Sequence, residues 1–517
     1  MPHAIDTAAL FFPRGGSAHV INYLHRELNA RGHTTRLHAG SLGRPGDPSH
    51  APTFYTGLDT RPFDYNPAHA AWNRGENPQL AEQPFHPSYE DRGTCPDPLF
   101  SAVSPAGADH LTRAWTRHLT DHRRPAADLL HLHHLSHLQL SAHAAYPDTP
   151  RLTTLHGTEL KLIDQIQQRL RLATRTGHSP FDLATLLHPD NLRRDANAGY
   201  LARTAHLSDE DTALLRSTKW EQWAHGRHWL ALLRRAARQA GQLTAVSEHD
   251  QALAGRLLQP CGDLPVIPNG VDTEAFRPLH LTDIQRTRHL RRWLLDDPHG
   301  WGPDGAPGTI GYTEHDLHRL HTRAGRLRPL LIWVGRFLDF KRVPVLLHAF
   351  AAARTRLNPA PALLMWGGYP GEYEGDHPAD LCTKLGITDD VFFIGWRGHD
   401  ELPHGLNCAD LMAAPAVNEP FGMVYLEAQA CGTPPISTNT GGPARIITPD
   451  GPHADGWLVP PDNHTALTDT IVRALAEPTE RKRRGANARA HIEATYSWDR
   501  TAEQYLSLYE SVLAHRA

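Results

Sequence analysis

Two glutamates eight positions apart, Glu419 and Glu427, are the residues best placed to do chemistry in this chain. Glu419 lies in a loop where Pro420 and Gly422 introduce a helix, and Glu427 follows about one turn into that helix. The unpaired N–H groups and positive dipole of a helix N-terminus attract a phosphate, and carboxylates accept hydrogen bonds from sugar or ribose hydroxyls. Glutamates that merely stabilise a helix start are the alternative, but the Pro-Phe-Gly between them favours a binding site.

Two cations lie close together after the first strand of the second half of the chain. Gly335 and Arg336 follow an apolar run that predicts a strand over 330–334, and Lys341 comes five positions after Arg336. A glycine lets a ligand approach the backbone, and an arginine fork with a lysine point charge can close on one diphosphate. Only five of the 52 basic residues are lysines, so Lys341 favours this interpretation over a surface ion pair.

Two strand ends in the first half carry further residues of interest. Gly15 and Gly16 follow a short apolar run and precede a helical pattern, a place that adds weight to an otherwise weak glycine pair. His156, with Gly157 and Thr158, follows a predicted strand. A histidine at a strand end can contact a substrate hydroxyl, although the 37 histidines of the chain lower the weight of any one of them.

Other motifs have a structural interpretation at least as good as a functional one. Asn269 lies in an Asn-Gly-Val-Asp turn between the two halves, which is typical of a hinge first and a ligand site second. Trp396 and Arg397 end a predicted strand and can border a nucleobase or simply pack. Four clustered histidines suggest a metal, but no carboxylate or cysteine accompanies them at ligand spacing, so no metal site is predicted. The four are His131, His133, His134 and His137.

The elements that would position these residues alternate between strand and helix. In the second half, five apolar runs separated by helical stretches predict strands. Strands at this rhythm predict a parallel, doubly wound sheet, whose ligands bind at the carboxyl ends of the strands. The predicted strands are 330–334, 362–366, 391–394, 411–414 and 435–438.

The first half is less regular. Residues 160–240 have a helical pattern, with an aromatic stripe over 220–229 that is typical of a helix core. Residues 41–110 are rich in Pro, Gly, Asp and His and predict a long, loop-rich excursion. Residues 280–328 are charged and predict an insertion or a linker. The predicted strands are 8–12, 128–131, 151–155, 242–246 and 264–267.

Composition and charge exclude several classes of protein. The 517 residues, 40% apolar and 21% charged, suit two or three globular domains. A formal charge of −4 without Lys/Arg-rich blocks argues against a nucleic-acid partner. The longest apolar runs are strand-sized and the N-terminus lacks an apolar leader, so we expect no transmembrane segment and no signal peptide. Five scattered cysteines without a CxxC motif suit a reducing cytoplasm.

Together these motifs resemble those of the family-4 retaining glycosyltransferases of bacteria, which have the GT-B fold. The second half matches almost throughout, whereas the first half matches only at its strand-end loops. Segments 41–125, 165–235 and 280–328 have no recognised counterpart. The resemblance rests on Glu419 with Glu427, Gly335-Arg336 with Lys341, residues 266–272, Leu155-His156-Gly157, Gly15-Gly16 with Gly32-His33, residues 438–444 and Tyr496-Ser497-Trp498.

The resemblance implies roles for the matched residues. Arg336 and Lys341 would bind the donor diphosphate, Glu427 would hold the ribose, and Glu419 with nearby backbone N–H groups would hold the transferred sugar. The implied catalytic residues are His156, Glu419, Arg336 and Lys341. The implied donor-binding residues are Gly15, Gly16, Arg336, Lys341, Trp396, Arg397, Glu419, Phe421, Gly422, Met423, Val424 and Glu427. The residues expected near the sugar or acceptor are His156, Gly157, Thr158 and Asn269.

The GT-B fold implies two Rossmann-like α/β domains whose parallel sheets face each other across a cleft. An acceptor-binding domain over 1–272 would be completed by a C-terminal helix over 496–517, and a nucleotide-sugar domain would cover 273–495. The unmatched segments would then be the candidates for choosing the acceptor.

The implied reaction is transfer of a sugar, with retained configuration, from a nucleoside-diphosphate sugar to a soluble small molecule, with no metal or other cofactor required. A UDP- or GDP-linked donor is expected, and the sequence leaves the base open among uracil, guanine and adenine. A nucleotide-sugar epimerase and a non-catalytic nucleotide-sugar-binding protein remain alternatives, and a homodimer stays open. A pyridoxal phosphorylase is disfavoured because Lys384 and Lys482 lack the setting of a Schiff-base lysine.

Overall fold

The structure is a computed structural model that describes residues 2–91, 95–258 and 263–514. It divides into two compact units, unit 1 with Met1–Ile267 and Ala502–Ala517, and unit 2 with Pro268–Thr501. Cys261 and the last three residues of the helix expected over 496–517 lie outside the described residues. Cys382, Cys408 and Cys431 are buried free thiols.

Unit 1 is built on a six-stranded parallel sheet with the strand order β3-β2-β1-β4-β5-β6. Strand β4 is buried along its whole length, as expected for a parallel strand covered on both faces. The strands are β1 (Ala4–Ala9), β2 (Thr34–Ser41), β3 (Asp59–Asp64), β4 (Leu129–His133), β5 (Arg151–Leu155) and β6 (Gln242–Ala245).

The helices that begin in unit 1 are numbered in chain order. They are α1 (Gly16–Ala30), α2 (Ala51–Phe54), α3 (Asn66–Asn73), α4 (Pro105–His122), α5 (Leu138–Ala145), α6 (Thr158–Arg175), α7 (Pro180–Leu186), α8 (Arg194–Thr204), α9 (Asp209–Ser217), α10 (Gly226–Gln239) and α11 (Glu248–Leu258). The last helix, α21 (Trp498–Ala514), returns to unit 1 from Ala502 onward.

Unit 2 repeats the arrangement with a second six-stranded parallel sheet, in the order β12-β11-β10-β7-β8-β9. The strands are β7 (Leu330–Gly335), β8 (Ala362–Gly367), β9 (Val391–Gly395), β10 (Leu411–Ala413), β11 (Pro435–Thr438) and β12 (Trp457–Val459). The helices are α12 (Asp283–Arg291), α13 (Glu314–His318), α14 (Val343–Arg354), α15 (Pro378–Lys384), α16 (Leu402–Cys408), α17 (Met423–Ala430), α18 (Pro443–Ile446), α19 (His464–Ala476) and α20 (Pro478–Thr495).

The five strands predicted in the second half and the helical region over 160–240 are confirmed within one or two residues at most ends. The strand predicted over 264–267 is wrong, because that segment makes a single bridge, from Val266 to Ala245. The prediction of a loop-rich excursion over 41–110 missed β3, whose pairing with β2 extends the sheet by one edge strand. Its charges and proline suit an edge position.

Residues 280–328 belong to unit 2 and pack against its sheet, so they do not form a linker. The Trp301 indole is buried and its Nε1–H donates to the carbonyl of Gly368 at 2.8 Å. His299 bridges Gly395 at the end of β9. This segment therefore lies beside the carboxyl ends of β8 and β9. Among the described helices, none has both the length and the apolar character needed to cross a membrane.

Candidate functional site

Each sheet places some of the sequence-predicted residues at the point where the strand order reverses. In unit 2 the chain starts at β7, adds β8 and β9 on one side, and returns to add β10 to β12 on the other. The loops after β7 and β10 therefore leave the sheet in opposite directions and open a crevice, where ligands bind in doubly wound folds. Arg336 and Lys341 follow β7, and Glu419 follows β10.

The loop after β7 brings Lys341 against Glu419. The ammonium Nζ lies 2.6 Å from Oε2 of Glu419, and both side chains are largely buried. The backbones of the two loops are also joined, because the N–H of Val417 donates to the carbonyl of Phe340 at 2.8 Å. Arg336 is more exposed, and its guanidinium lies 3.9 Å from Glu372. The structure thus brings together Lys341 and Glu419, two of the residues that the sequence singled out.

Glycines let the loop of Glu419 fold tightly. At Gly441, whose φ is +72°, a Cβ atom would lie 2.6 Å from the carbonyl oxygen of Glu419. At Gly442 it would lie 2.4 Å from the carbonyl oxygen of Phe421. The N–H of Gly442 donates to the carbonyl of Glu419 at 2.8 Å. Close backbone contacts therefore hold the loop after β10 against the loop after β11.

Helix α17 begins directly after this loop. Its N-cap is Gly422, in the left-handed region with φ +96°, and within the described chain no side chain caps it and no acidic residue lies in its first turn. The Tyr425 hydroxyl donates to the carbonyl of Ala414 at 2.7 Å and fixes the helix to the end of β10. The first N–H groups of the helix, at Met423 and Val424, are suited to an anion.

Glu427 extends from the second turn of α17 and is bound by a histidine that the sequence analysis missed. The Nε2 of His399 lies 2.8 Å from Oε1 of Glu427. Burial lowers the pKa of His399, but the carboxylate of Glu427 outweighs it, and the net pKa lies above its usual range. In a chain with 37 histidines, no local pattern distinguished this one.

Trp396 and Arg397 follow β9 and differ in burial, since Trp396 is partly exposed and Arg397 is buried. The Trp396 side chain is 38% exposed and its ring meets that of Tyr369 edge-on at 5.7 Å. Arg397 has a fully buried guanidinium that pairs with Asp297 at 3.0 Å and bonds the carbonyl of Trp293 at 3.3 Å. Arg397 therefore holds the 280–328 segment in place, which corresponds to the packing interpretation of this residue.

In unit 1 the order reverses between β1 and β4, and Gly15 and Gly16 follow β1. Gly15 has φ +74° and is the N-cap of α1, which has neither a side-chain cap nor an acidic first turn in the described structure. Arg14 donates to the buried Asp97 at 2.7 Å and lies over the ring of Phe12 at 4.5 Å. A basic side chain and an uncapped helix start thus flank the same strand end.

His156 lies at the end of β5 in a cluster of rings. Its Nε2 is 3.0 Å from Nδ1 of His133, and its backbone N–H donates to the buried carboxylate of Glu159 at 2.8 Å. Gly157, with φ +89°, and Thr158 begin the helix that carries Glu159. Burial lowers the pKa of His156 to about 3. The ring is therefore neutral near pH 7, with one nitrogen as donor and the other as acceptor.

Two other histidines of the predicted cluster, His131 and His134, have protein partners. His131 bonds the hydroxyls of Tyr509 and Thr154, at 2.9 and 2.8 Å. His134 lies 3.2 Å from Glu159. Burial raises the pKa of Glu159, but His134 outweighs it, so the net pKa lies below its usual range. No group of three or more metal-ligating side chains occurs across residues 2–91, 95–258 and 263–514.

Asn269 is buried in unit 2. The turn that contains it packs on the closing segment of the chain, where the N–H of Val271 donates to the carbonyl of Tyr496 at 2.8 Å. A Cβ atom at Gly270 would lie 2.7 Å from the backbone nitrogen of Trp498. The motif thus has a clear packing role.

Part of the chain is similar to known glycosyltransferases. Residues 322–491 match the family of glycosyl transferases group 1. Over 329 residues the chain is 31% identical to the D-inositol 3-phosphate glycosyltransferase of Salinispora tropica, a match that covers 57% of this chain and 61% of that protein. The chain therefore spans less than two thirds of the length of this relative.

Solved structures extend the likeness over the whole chain. Sucrose-phosphate synthase from Thermosynechococcus elongatus has a TM-score of 0.61 at 19% identity, covering 99% of this chain and 100% of that one. Anabaena HepE in complex with UDP and glucose has a TM-score of 0.56 at 15% identity, covering 98% and 100%. At these identities the likeness concerns the fold, and the two six-stranded parallel sheets are those of the GT-B fold.

Proposed function

We propose, from the membership of residues 322–491 in the glycosyl transferases group 1 family, that the protein is a configuration-retaining glycosyltransferase. Its donor is a nucleoside-diphosphate sugar, UDP- or GDP-linked, and its acceptor is a soluble small molecule. Lys341 and Arg336 bind the diphosphate, the N-terminus of α17 contributes N–H groups, and Glu427 binds the ribose. Glu419 binds the hydroxyls of the transferred sugar.

The observation that carries this proposal is the pairing of Lys341 with Glu419 at the strand-order reversal of unit 2. A diphosphate beside the ammonium places the attached sugar beside the carboxylate, because the two groups lie 2.6 Å apart. The uncapped start of α17 is the next element along the chain. Cation, carboxylate and helix start are the three groups that a sugar diphosphate requires.

The chemical step breaks the bond between the anomeric carbon and the diphosphate oxygen and forms a bond from the acceptor oxygen to the same face of that carbon. Positive charge develops on the sugar ring and negative charge on the leaving diphosphate, which Lys341 and Arg336 stabilise. The acceptor proton passes to the departing phosphate oxygen. The neutral imidazole of His156 supplies a hydrogen bond to a sugar hydroxyl and needs no change in charge.

Incubation of the purified protein with a panel of UDP-, GDP- and ADP-sugars tests the proposal. Slow hydrolysis of one sugar nucleotide to free nucleoside diphosphate identifies the donor. NMR assignment of the sugar anomer that is released first identifies the stereochemistry of the reaction. Release of the same anomer as in the donor supports retention. An epimerised donor without released diphosphate would instead identify an epimerase. Mass-spectrometric detection of a sugar covalently bound to Glu419 would overturn the same-face displacement.

The acceptor is the part of the proposal that rests on unit 1 and on the segments without counterpart in the family. The five cysteines are scattered and form no CxxC motif, which suits a reducing compartment, and we place the reaction in the cytoplasm. Once the donor is known, candidate acceptors can be screened by acceleration of diphosphate release over hydrolysis.

A further inference from the structure

The loop after β9 is tied to helix α17 by one side-chain contact. The Nε2 of His399 and Oε1 of Glu427 are 2.8 Å apart, and the glutamate side chain is only 6% exposed. The negative charges of Glu427, Asp272 and Asp400 each raise the pKa of His399. A protonated histidine in contact with a carboxylate makes a charge-assisted hydrogen bond.

The turn over 269–276 also contacts this histidine, through Phe276. Asp272 accepts hydrogen bonds from the backbone N–H groups of Glu274 and Ala275, each at 3.0 Å, and so closes the turn. The turn contains the buried ring of Phe276, whose centroid lies 4.9 Å from the centroid of the His399 ring. The Asn-Gly-Val-Asp motif therefore has a second consequence besides packing, which is to support the imidazole.

We infer that His399 is a positioning residue for Glu427, which it holds so that one carboxylate oxygen is occupied and the other faces the ribose of the donor. The inference rests on the proposed function, since it assumes that Glu427 binds ribose. A glutamate that is not held loses side-chain entropy when a ligand fixes it, and this loss weakens binding. His399 fixes the carboxylate in advance, and Phe276 fixes His399.

The experiment measures ribose recognition directly. Dissociation constants are determined by calorimetry for UDP, GDP and ADP and for their 2′-deoxy and 3′-deoxy forms. A hydrogen bond to a charged group implies that the wild-type protein prefers the ribose form on the order of 10- to 100-fold. Glu427→Gln should lower this preference to a few-fold.

Two substitutions of His399 separate positioning from packing. In His399→Gln the amide nitrogen can reach the place of Nε2, whereas in His399→Asn it cannot. We expect His399→Asn to lower the ribose preference about as far as Glu427→Gln, and His399→Gln to restore part of it. His315→Asn, at an exposed histidine of the same unit, is the matched control and should leave the preference unchanged.

A measurement on the wild-type protein keeps the test valid if a variant fails to fold. Because the pKa of His399 is raised, raising the pH through and above its usual range removes the charge, and the ribose preference should fall several-fold between pH 6 and 9. In Glu427→Gln it should stay constant.

The outcomes distinguish the inference from the proposed function. Any of three results would overturn the role of His399 alone. The first is a ribose preference in His399→Asn equal to that of the wild-type protein, and the second is an equal loss of affinity for the ribose and deoxyribose forms in that variant. The third is a ribose preference of the wild-type protein that does not depend on pH. A wild-type protein that binds none of the nucleoside diphosphates would overturn the proposed function and the inference with it.

Discussion

Replacing Gly442 by alanine tests whether the loop of Glu419 is positioned by backbone contact. Gly442 has φ −57° and ψ −43°, which alanine adopts without strain. The added Cβ atom would lie 2.4 Å from the carbonyl oxygen of Phe421, 2.5 Å from its Cα and 2.7 Å from the carbonyl oxygen of Pro420. All three neighbours are backbone, so no side chain can rotate out of the way.

The size of the effect follows from these distances. An optimal contact of about 3.5 Å requires the loop to retreat by about 1 Å. Overpacking of this kind costs about 1–3 kcal/mol, which for a domain of this size lowers the melting temperature by several degrees. A displacement of about 1 Å in a group that positions substrate lowers the rate about 100-fold. The loss of activity should therefore be much larger than the loss of stability suggests.

The assay is release of nucleoside diphosphate from the donor that the panel identifies, together with thermal unfolding. Gly311→Ala is the control, because no atom lies within 4 Å of the Cβ position there and the residue is exposed. Turnover of Gly442→Ala within about twofold of wild type, with normal folding, would refute the view that this contact positions Glu419.

Three further results are expected. Lys341→Ala and Arg336→Ala should each lower kcat/KM by on the order of 10²–10³, measured as diphosphate release, and near-normal turnover would remove them from the mechanism. Because the pKa of His156 is about 3, His156 should not titrate between pH 5 and 8. The pH–rate profiles of the wild-type protein and of His156→Asn should therefore have the same shape in this range. Trp301→Phe leaves the buried carbonyl of Gly368 without its donor and should lower the free energy of unfolding by about 1–3 kcal/mol in denaturant titration; an unchanged midpoint would contradict this.

The sequence predicted the sheet of unit 2 because its strands are buried on both faces. Strand β8 is buried at every position and therefore appears as an uninterrupted apolar run. The same rule located the site, since residues after parallel strands share one edge of the sheet. Strand β3 escaped prediction because an edge strand needs no apolar run, and its sequence is Asp-Thr-Arg-Pro-Phe-Asp.

Contacts distant in sequence explain the rest. Arg397 pairs with Asp297, one hundred positions away, and no local pattern distinguishes that ion pair from an arginine beside a ligand. His399 meets Glu427 only because the loop after β9 and helix α17 lie side by side. Residues 280–328 resembled a linker by composition, although the buried tryptophans at 293 and 301 are a signal of packing.

The contact between Lys341 and Glu419 bears on how a turnover ends. The two charges lie 2.6 Å apart in largely buried surroundings. Separating them is unfavourable, because it leaves a buried charge without its partner. A diphosphate that takes the ammonium must displace the carboxylate, and it leaves as the carboxylate recovers its partner. If Lys341 binds the donor diphosphate as proposed, Glu419 would compete with the spent nucleotide for the ammonium, and product inhibition would be weaker than with a lysine that has no adjacent acid.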